Sequence, residues 1–133
     1  ENARLRKQLN EANRRLSEAT GAVVSAGAKI GHFSNIGEGV VVNAGAFVGR
    51  YVTVGDGAII EHGVRIEDSV KVMEGVILCG DVVVKTGAMV QAGAIVTQGV
   101  RIGRLAVVKS GAVVLKDVPD RATVAGIPAR ESI

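Results

Sequence analysis

Large aromatic rings are nearly missing from this chain: Phe, Tyr and Trp together number three in 133 residues, and none is Trp. A core built without them must be aliphatic and narrow, and the basic aromatic platforms of single-stranded nucleic-acid binders are lacking. Only two prolines are present, which excludes collagen, where Gly recurs every third residue among abundant Pro. The lone Cys79 cannot close an intrachain disulfide. No apolar run reaches membrane length and no signal peptide is visible, so a cytoplasmic, non-membrane protein is expected. A chain that starts at Glu1 rather than Met is expected to have lost an upstream segment. The net charge of +3 divides into five basic minus three acidic residues over 1–20, about +2, and about +1 on the remainder. That is too little for a nucleic-acid partner.

Glycine, by contrast, is plentiful at 18 of 133, roughly double the usual ~7%. It is also regularly placed. From Val23 to Val118 the chain is sixteen consecutive hexapeptides without an inserted or deleted residue. The second residue of each is aliphatic, from Val24, Ile30 and Ile36 through Ile60, Leu78 and Val96 to Val114, and the sixth is small or β-branched. Gly holds ten of the sixteen fifth positions. A period of six fits neither a helix nor a flat, half-buried strand, and a repeat architecture is the better reading. At this length the repeat is one domain.

Residues 1–20 are organised differently. They lack Pro and Gly and place Asn2, Leu5, Leu9, Ala12, Leu16 and Ala19 at alternating spacings of three and four, a short heptad seam. Fewer than three heptads are marginal alone. The segment is expected to form either a self-associated, trimeric coiled coil or a lone helix that caps the open end of the repeat. Thr20-Gly21 supplies the stop.

Runs such as NIGEGV, TVGDGA, MVQAGA and RIGRLA resemble the hexapeptide-repeat acyltransferase family, and the resemblance covers nearly all of residues 23–130. It implies an all-β domain, a left-handed parallel β-helix in which three hexapeptides make one triangular coil, preceded here by one N-terminal α-helix. Eighteen residues per coil give about 5.3 coils, hence about five, over roughly 26 Å at the ~4.8 Å spacing of neighbouring strands. The expected divisions are 1–20 for the helix, 21–118 for the β-helix, and 119–133 for a C-terminal cap that also lines a coenzyme groove.

Stacking at eighteen-residue intervals sorts the outward first positions into three columns. One is wholly aliphatic: Val23, Val41, Ile59, Ile77, Ile95 and Val113. Monomers rarely leave such a stripe in water, so these residues are the expected interface of a homotrimer, the usual assembly of the resembling family. The alternative is a face covered by the N-terminal helix. A fifth-position column, Phe33, Tyr51, Ser69, Gly87 and Leu105, departs from the glycine rule, and its side chains would meet a ligand, the helix or solvent.

Only two histidines are present. His62, in IIEHGV, falls just beyond Ile59 on the aliphatic face, with Ala44 and Gly80 at the stacked positions before and after it. IIEHGV followed by ILCGDV looks like bacterial nucleotide-sugar N-acetyltransferases and sialic-acid O-acetyltransferases. That resemblance implies His62 as general base and the Gly80 amide as a donor to the thioester carbonyl. An imidazole can take a proton near neutral pH, and a bare N–H can approach a developing oxyanion. The family commonly has an acidic residue directly after this His; here it is Gly63, and Asp81, one coil on, is the candidate substitute. His32 stacks with Arg50, Asp68, Thr86 and Arg104 in what reads as a solvated charge ladder. Glu38, Asp56 and Glu74 form a vertical acidic row whose like charges repel, read as another solvated face. Three-histidine zinc sites of the hexapeptide-repeat carbonic anhydrases have no counterpart, so no metal is expected.

The segment GAVVLKDVPDRATVAGIPAR, residues 111–130, resembles the closing segment of acetyl-CoA-dependent hexapeptide acyltransferases. The resemblance implies acetyl-CoA as donor, with backbone around Ala94, Ala112, Gly126 and Ile127 along the pantetheine arm and Lys109, Lys116, Arg121 and Arg130 available to its phosphates. The expected function is acetyl transfer to an amino or hydroxyl group of a sugar or nucleotide-sugar. A non-catalytic trimer serving as a scaffold is the alternative.

Overall fold

The computed structural model describes residues 2–132. A helix α1 (Asn2–Thr20) leads into a parallel β-solenoid of two-residue strands recurring every six residues from Val23–Val24 to Val113–Val114. The strands stack into three sheets. The first holds six, from Val23–Val24 to Val113–Val114, and the second five, from Lys29–Ile30 to Arg101–Ile102. The third runs from Asn35–Ile36 to Val107–Val108 and then adds Thr123–Ala125 and Arg130–Glu131. Pairing is parallel at an offset of eighteen, as in Val41↔Ile59 and Ile59↔Ile77. The one antiparallel pair among the described residues closes the C-terminus, Val124↔Glu131.

Each strand points its first residue outward and its second inward. Ile60, Ile66, Leu78, Ile102 and the valines between them are fully buried, as are sixth-position Ala28, Ala58 and Ala112. A two-residue strand buries little by itself. Stacked coil on coil, each fully buried aliphatic contributes about 1.5–3 kcal/mol, and the core becomes one continuous column.

The solenoid makes about six turns rather than the expected five, because winding continues past the last hexapeptide. The final turn is two residues shorter: Ile102 bridges Val118, and Val107 pairs with Thr123, both at an offset of sixteen. Helix α1 lies against the end of the solenoid, contacting the first strand and leaving the aliphatic face uncovered; Val23 is 59% exposed and Val41, Ile59, Ile77, Ile95 and Val113 are half-buried. Only part of the heptad seam docks: Leu16 packs against the core, whereas Leu5 is 56% exposed and Ala12 is exposed too. A polar stripe supplies hydrogen bonds beside it. Asn13, buried, donates Nδ2 to Ala28 O at 2.9 Å, while Asn10 Oδ1 accepts from Gly27 N at 3.3 Å and Ser17 Oγ from Val24 N at 3.3 Å. These bonds satisfy backbone groups of the first coil that have no coil beneath them.

Glycine serves two distinct purposes in the winding. At fifth positions such as Gly57 it supplies a left-handed turn, φ +70°, with open space where a Cβ would stand. At Gly55 φ is ordinary, but a Cβ would lie 2.5 Å from Glu74 N and 2.7 Å from Met73 C in the next coil. Gly57→Ala is therefore expected to cost about 1–2 kcal/mol, the penalty of a left-handed L-residue. Gly55→Ala, which must push a pair of hydrogen-bonded coils apart, should cost clearly more. Urea unfolding of both variants checks the order, and a reversed ranking contradicts this packing.

Candidate active site

A regular winding leaves the fourth- and sixth-position amides of each hexapeptide outside the ladder between coils; most sixth-position amides turn back within their own coil, as Ala94 N does to Gln91 O at 3.2 Å. Fifth-position amides donate to the fourth-position carbonyl of the preceding coil, as in Asp81 N to His62 O at 3.1 Å and Gly57 N to Glu38 O at 2.9 Å. Fourth-position amides point out at the corners and take side-chain acceptors where these exist. Asp56 accepts from Glu38 N, Asp68 from Arg50 N and Asp120 from Arg104 N, each at 2.9 Å. Asp56 and Asp68 are thus structural caps rather than members of a repelling row and a solvated ladder, and Asp120 does the same in the last turn. Each folds over a glycine of the coil below, Gly37, Gly49 and Gly103, where any Cβ would strike it. That pairing of third-position Gly with Asp one coil on is the signal the sequence carries.

Gly80 is a fourth-position residue without such a cap: its N–H makes no hydrogen bond among the described residues. What covers it is the imidazole of His62. A Cβ built on Gly80 would stand 3.2 Å from both Cε1 and Nε2 of that ring. His62 is exposed and Gly80 buried beneath it, at the corner between the first and second sheets. The two residues expected to work together are therefore in contact. An exposed imidazole thus stands against a residue whose N–H has no hydrogen-bond partner among the described residues.

Asp81 adopts φ +61° and bends its carboxylate down over Gly63, into the space a side chain at residue 63 would fill. It stands where the sequence places it, one coil above Gly63 and beside His62. Among the described residues its carboxylate makes no hydrogen bond with the His62 ring; the two residues are joined through the backbone alone. Sequence reasoning missed one neighbour. Glu61, half-buried directly before His62, accepts from Asn43 Nδ2 in the coil below. A polar residue in the same column eighteen positions earlier is the signal that could have found it.

The residues expected along a coenzyme divide between two settings. Ala94 and Ala112 are fully buried, with their carbonyls accepting from Ile77 N at 3.0 Å and Ile95 N at 2.8 Å. Lys109 accepts through its carbonyl from Ala112 N. Gly126, φ +94°, and exposed Ile127 form the tip of the terminal hairpin. Lys116 and Arg130 line one cleft of about 510 Å³ with Val114, Leu115, Val118, Pro128 and Ala129. Arg121 lies elsewhere, in a cleft with Arg104 and Leu105. Lys116 occupies the same column as His62 and Gly80, three turns beyond His62, or ~14 Å at the spacing of neighbouring strands.

No protein-family model matches the chain, and no curated protein matches it by sequence. Solved structures do. A His-to-Ala variant of the GDP-perosamine N-acetyltransferase from Caulobacter crescentus, in complex with CoA and GDP-perosamine, superposes with a TM-score of 0.83 at 31% identity over 84% of this chain. The acetyltransferase domain of PglB from Neisseria gonorrhoeae, in complex with acetyl coenzyme A, gives 0.82 at 32% identity, again over 84%. This chain is close to the hexapeptide-repeat nucleotide-sugar N-acetyltransferases. It spans about half the length of both, 53% and 54%. AntD, an N-acyltransferase from Bacillus cereus, shares the fold with a TM-score of 0.76 at 16% identity over 90% of this chain and 86% of its own.

The His62–Gly80 contact has a direct test. In Gly80→Ala the added methyl must displace an exposed ring by a few tenths of an ångström, so unfolding stability should change by less than ~1 kcal/mol. The His62 ring resonances should shift while those of His32 stay. Unmoved His62 resonances would contradict the contact.

Proposed function

We propose that this chain is an acetyl-CoA-dependent acetyltransferase domain acting on an amino or hydroxyl group of a sugar or nucleotide-sugar. In this reading the solenoid is left-handed and triangular in section, and three copies associate through Val23, Val41, Ile59, Ile77, Ile95 and Val113. The observation that carries it is the His62 imidazole standing over the free amide of Gly80, in a chain whose neighbours are N-acetyltransferases holding CoA or acetyl-CoA.

His62 takes the proton of the acceptor amine or hydroxyl as its nitrogen or oxygen attacks the thioester carbonyl carbon. The carbonyl oxygen, now an oxyanion, receives the Gly80 N–H. Collapse expels the thiolate, which recovers the proton from the imidazolium. Asp81, on the adjacent rung, places a negative charge near that imidazolium without bonding it. The cleft at Lys116 and Arg130 suits the donor's remainder through its apolar wall for a pantetheine arm and these two cations for its phosphates, although Asp117 and Glu131 line it as well. Its place on the same column as His62 suits a long arm running along the solenoid. Because His62 borders the aliphatic face, a second copy seated there would close the site against water. A scaffold trimer without catalysis is the alternative, favoured by the missing bond between the Asp81 carboxylate and the His62 ring.

Calorimetry with acetyl-CoA is expected to show saturable binding, and no heat at millimolar donor would overturn the enzymatic reading. His62→Ala should retain that binding while losing about 10²–10⁴-fold in acetylation rate on an amino-sugar panel. Equal rates remove His62 from the mechanism. Ile77→Lys should convert trimers to monomers in sedimentation; trimers that persist would refute this interface.

A further inference from the structure

Five of the six non-glycine residues in the left-handed region among the described residues stack on one corner, between the second and third sheets: Phe33, Tyr51, Ser69, Leu105 and Arg121, at φ 57–63°. Gly87 is the remaining member of that column, whereas the corner between the third and first sheets carries Gly39, Gly57, Gly75, Gly93 and Gly111. An L-residue in this conformation costs roughly 1–2 kcal/mol, and such strain concentrates where a side chain must be displayed. What is displayed is apolar and solvent-facing. Phe33 is 74% exposed, Tyr51 60% and Leu105 54%.

The column has a gap in its middle. The Phe33 and Tyr51 rings stack at 5.1 Å between centroids and 14° between planes. The next two rungs carry only Ser69 and Gly87, and Leu105 leans down so that its Cδ2 lies 2.6 Å from where a Gly87 Cβ would be. From Tyr51 to Leu105 is three rungs of ~4.8 Å. Leu105 fills the last of them, and the rest accommodates one flat ring at ~3.5–4 Å contact with the material above and below. Asp68 and Thr86 stand beside the gap, at the edge of a cleft of about 340 Å³. Arg50 and Arg104 bracket it, and neither guanidinium forms an ion pair among the described residues. The sequence supplied these residues but not the aligned rings.

We propose that this notch binds a nucleoside phosphate, with the base extending the Phe33–Tyr51 stack over Ser69 and the phosphate held by Arg50 and Arg104. The pieces match that ligand and little else. A π-face receives a flat heterocycle, Asp68 accepts from an exocyclic amino group through Oδ2, its Oδ1 being held by Arg50 N, and two unpaired guanidiniums suit a phosphate. The notch holds one base, so the partner is a mononucleotide and not a strand. This site is separate from His62 and does not depend on the acetyl-transfer reading.

Tyr51 is the only tyrosine, so its ring resonances are recognisable without full assignment. Titration with AMP should shift them upfield and saturate. Adenosine should bind more weakly, and ribose 5-phosphate should leave the ring resonances in place. Ser69→Leu, which fills the notch as Leu105 fills its own rung, should weaken AMP at least about tenfold, a loss of ~1.4 kcal/mol, with the fold retained by circular dichroism. Arg50→Gln with Arg104→Gln should reduce AMP to the affinity of adenosine. His62→Ala should bind AMP as wild type does. AMP that leaves Tyr51 unshifted at about 10 mM, far above the concentration a stacked and ion-paired ligand requires, or that binds Ser69→Leu unchanged, overturns the proposal; either result leaves the acetyl-CoA test untouched. AMP captured at the Lys116–Arg130 cleft instead would be seen as binding without a Tyr51 shift and counts against the notch.

Discussion

The hydrogen bond between a backbone amide of one coil and a carbonyl of the next is the interaction on which everything else here depends. A strand of two residues has no stability of its own, and a triangle of three such strands buries only a few side chains. Repeated at a fixed offset, as in Val41 N to Ala58 O at 3.0 Å and Ile59 N to Val76 O at 2.8 Å, the bond turns local marginality into a column with continuous burial. It also sets severe limits. Neighbouring coils approach so closely that Gly31, Gly55 and Gly103 have no room for a methyl, and their rungs would have to separate to admit one.

A stacked column has two open ends, and this chain closes them by unlike means. At the start, α1 brings Asn10, Asn13 and Ser17 to backbone groups of the first coil and packs Leu16 against the core, so that a helix of polar composition docks by hydrogen bonds around one apolar contact. At the finish, the chain doubles back as a hairpin and pairs Arg130–Glu131 against Thr123–Ala125. That hairpin also walls the cleft at Lys116. Closing an end and shaping a groove are there the same act, because the backbone groups that need partners lie next to apolar side chains that need cover.

The same winding leaves its unpaired amides at the corners. Along the sheets every amide is spoken for, but the fourth position of each hexapeptide presents an N–H that the ladder does not use. Where Asp56, Asp68 or Asp120 is available, the amide is capped. Gly80 has no such cap, and the histidine one coil earlier leans over it. Among the described residues Ala44 and Gln98, on the same corner, lack a carboxylate cap as well, so what sets Gly80 apart is the ring that leans over it. Much of this is legible in the sequence: the sixteen-fold register identifies the inward valines, and the eighteen-residue coil that the resemblance implies adds the aliphatic face and the stacking of His62 with Gly80. What escapes are interactions between side chain and backbone of different coils. The caps at Asp56 and Asp68 look like loose surface charge, and Leu5 and Leu9 draw attention from the polar stripe that docks α1.

The repeat and its inward positions follow from the residues alone, because a period of six with aliphatic second positions marks which side chains must be buried; the offset of eighteen is what the resemblance to hexapeptide-repeat proteins implies, and the parallel pairs from Val23–Val24 to Val113–Val114 keep it. How the winding ends does not follow, since Pro119 breaks the hexapeptide while the backbone ladder continues at an offset of sixteen. Nor does the way side chains lean between rungs. That Asp81 bends over Gly63, that Leu105 folds toward Gly87, and that Phe33 and Tyr51 stack are choices made by space left in the adjacent coil. They are decided only when the coils come together.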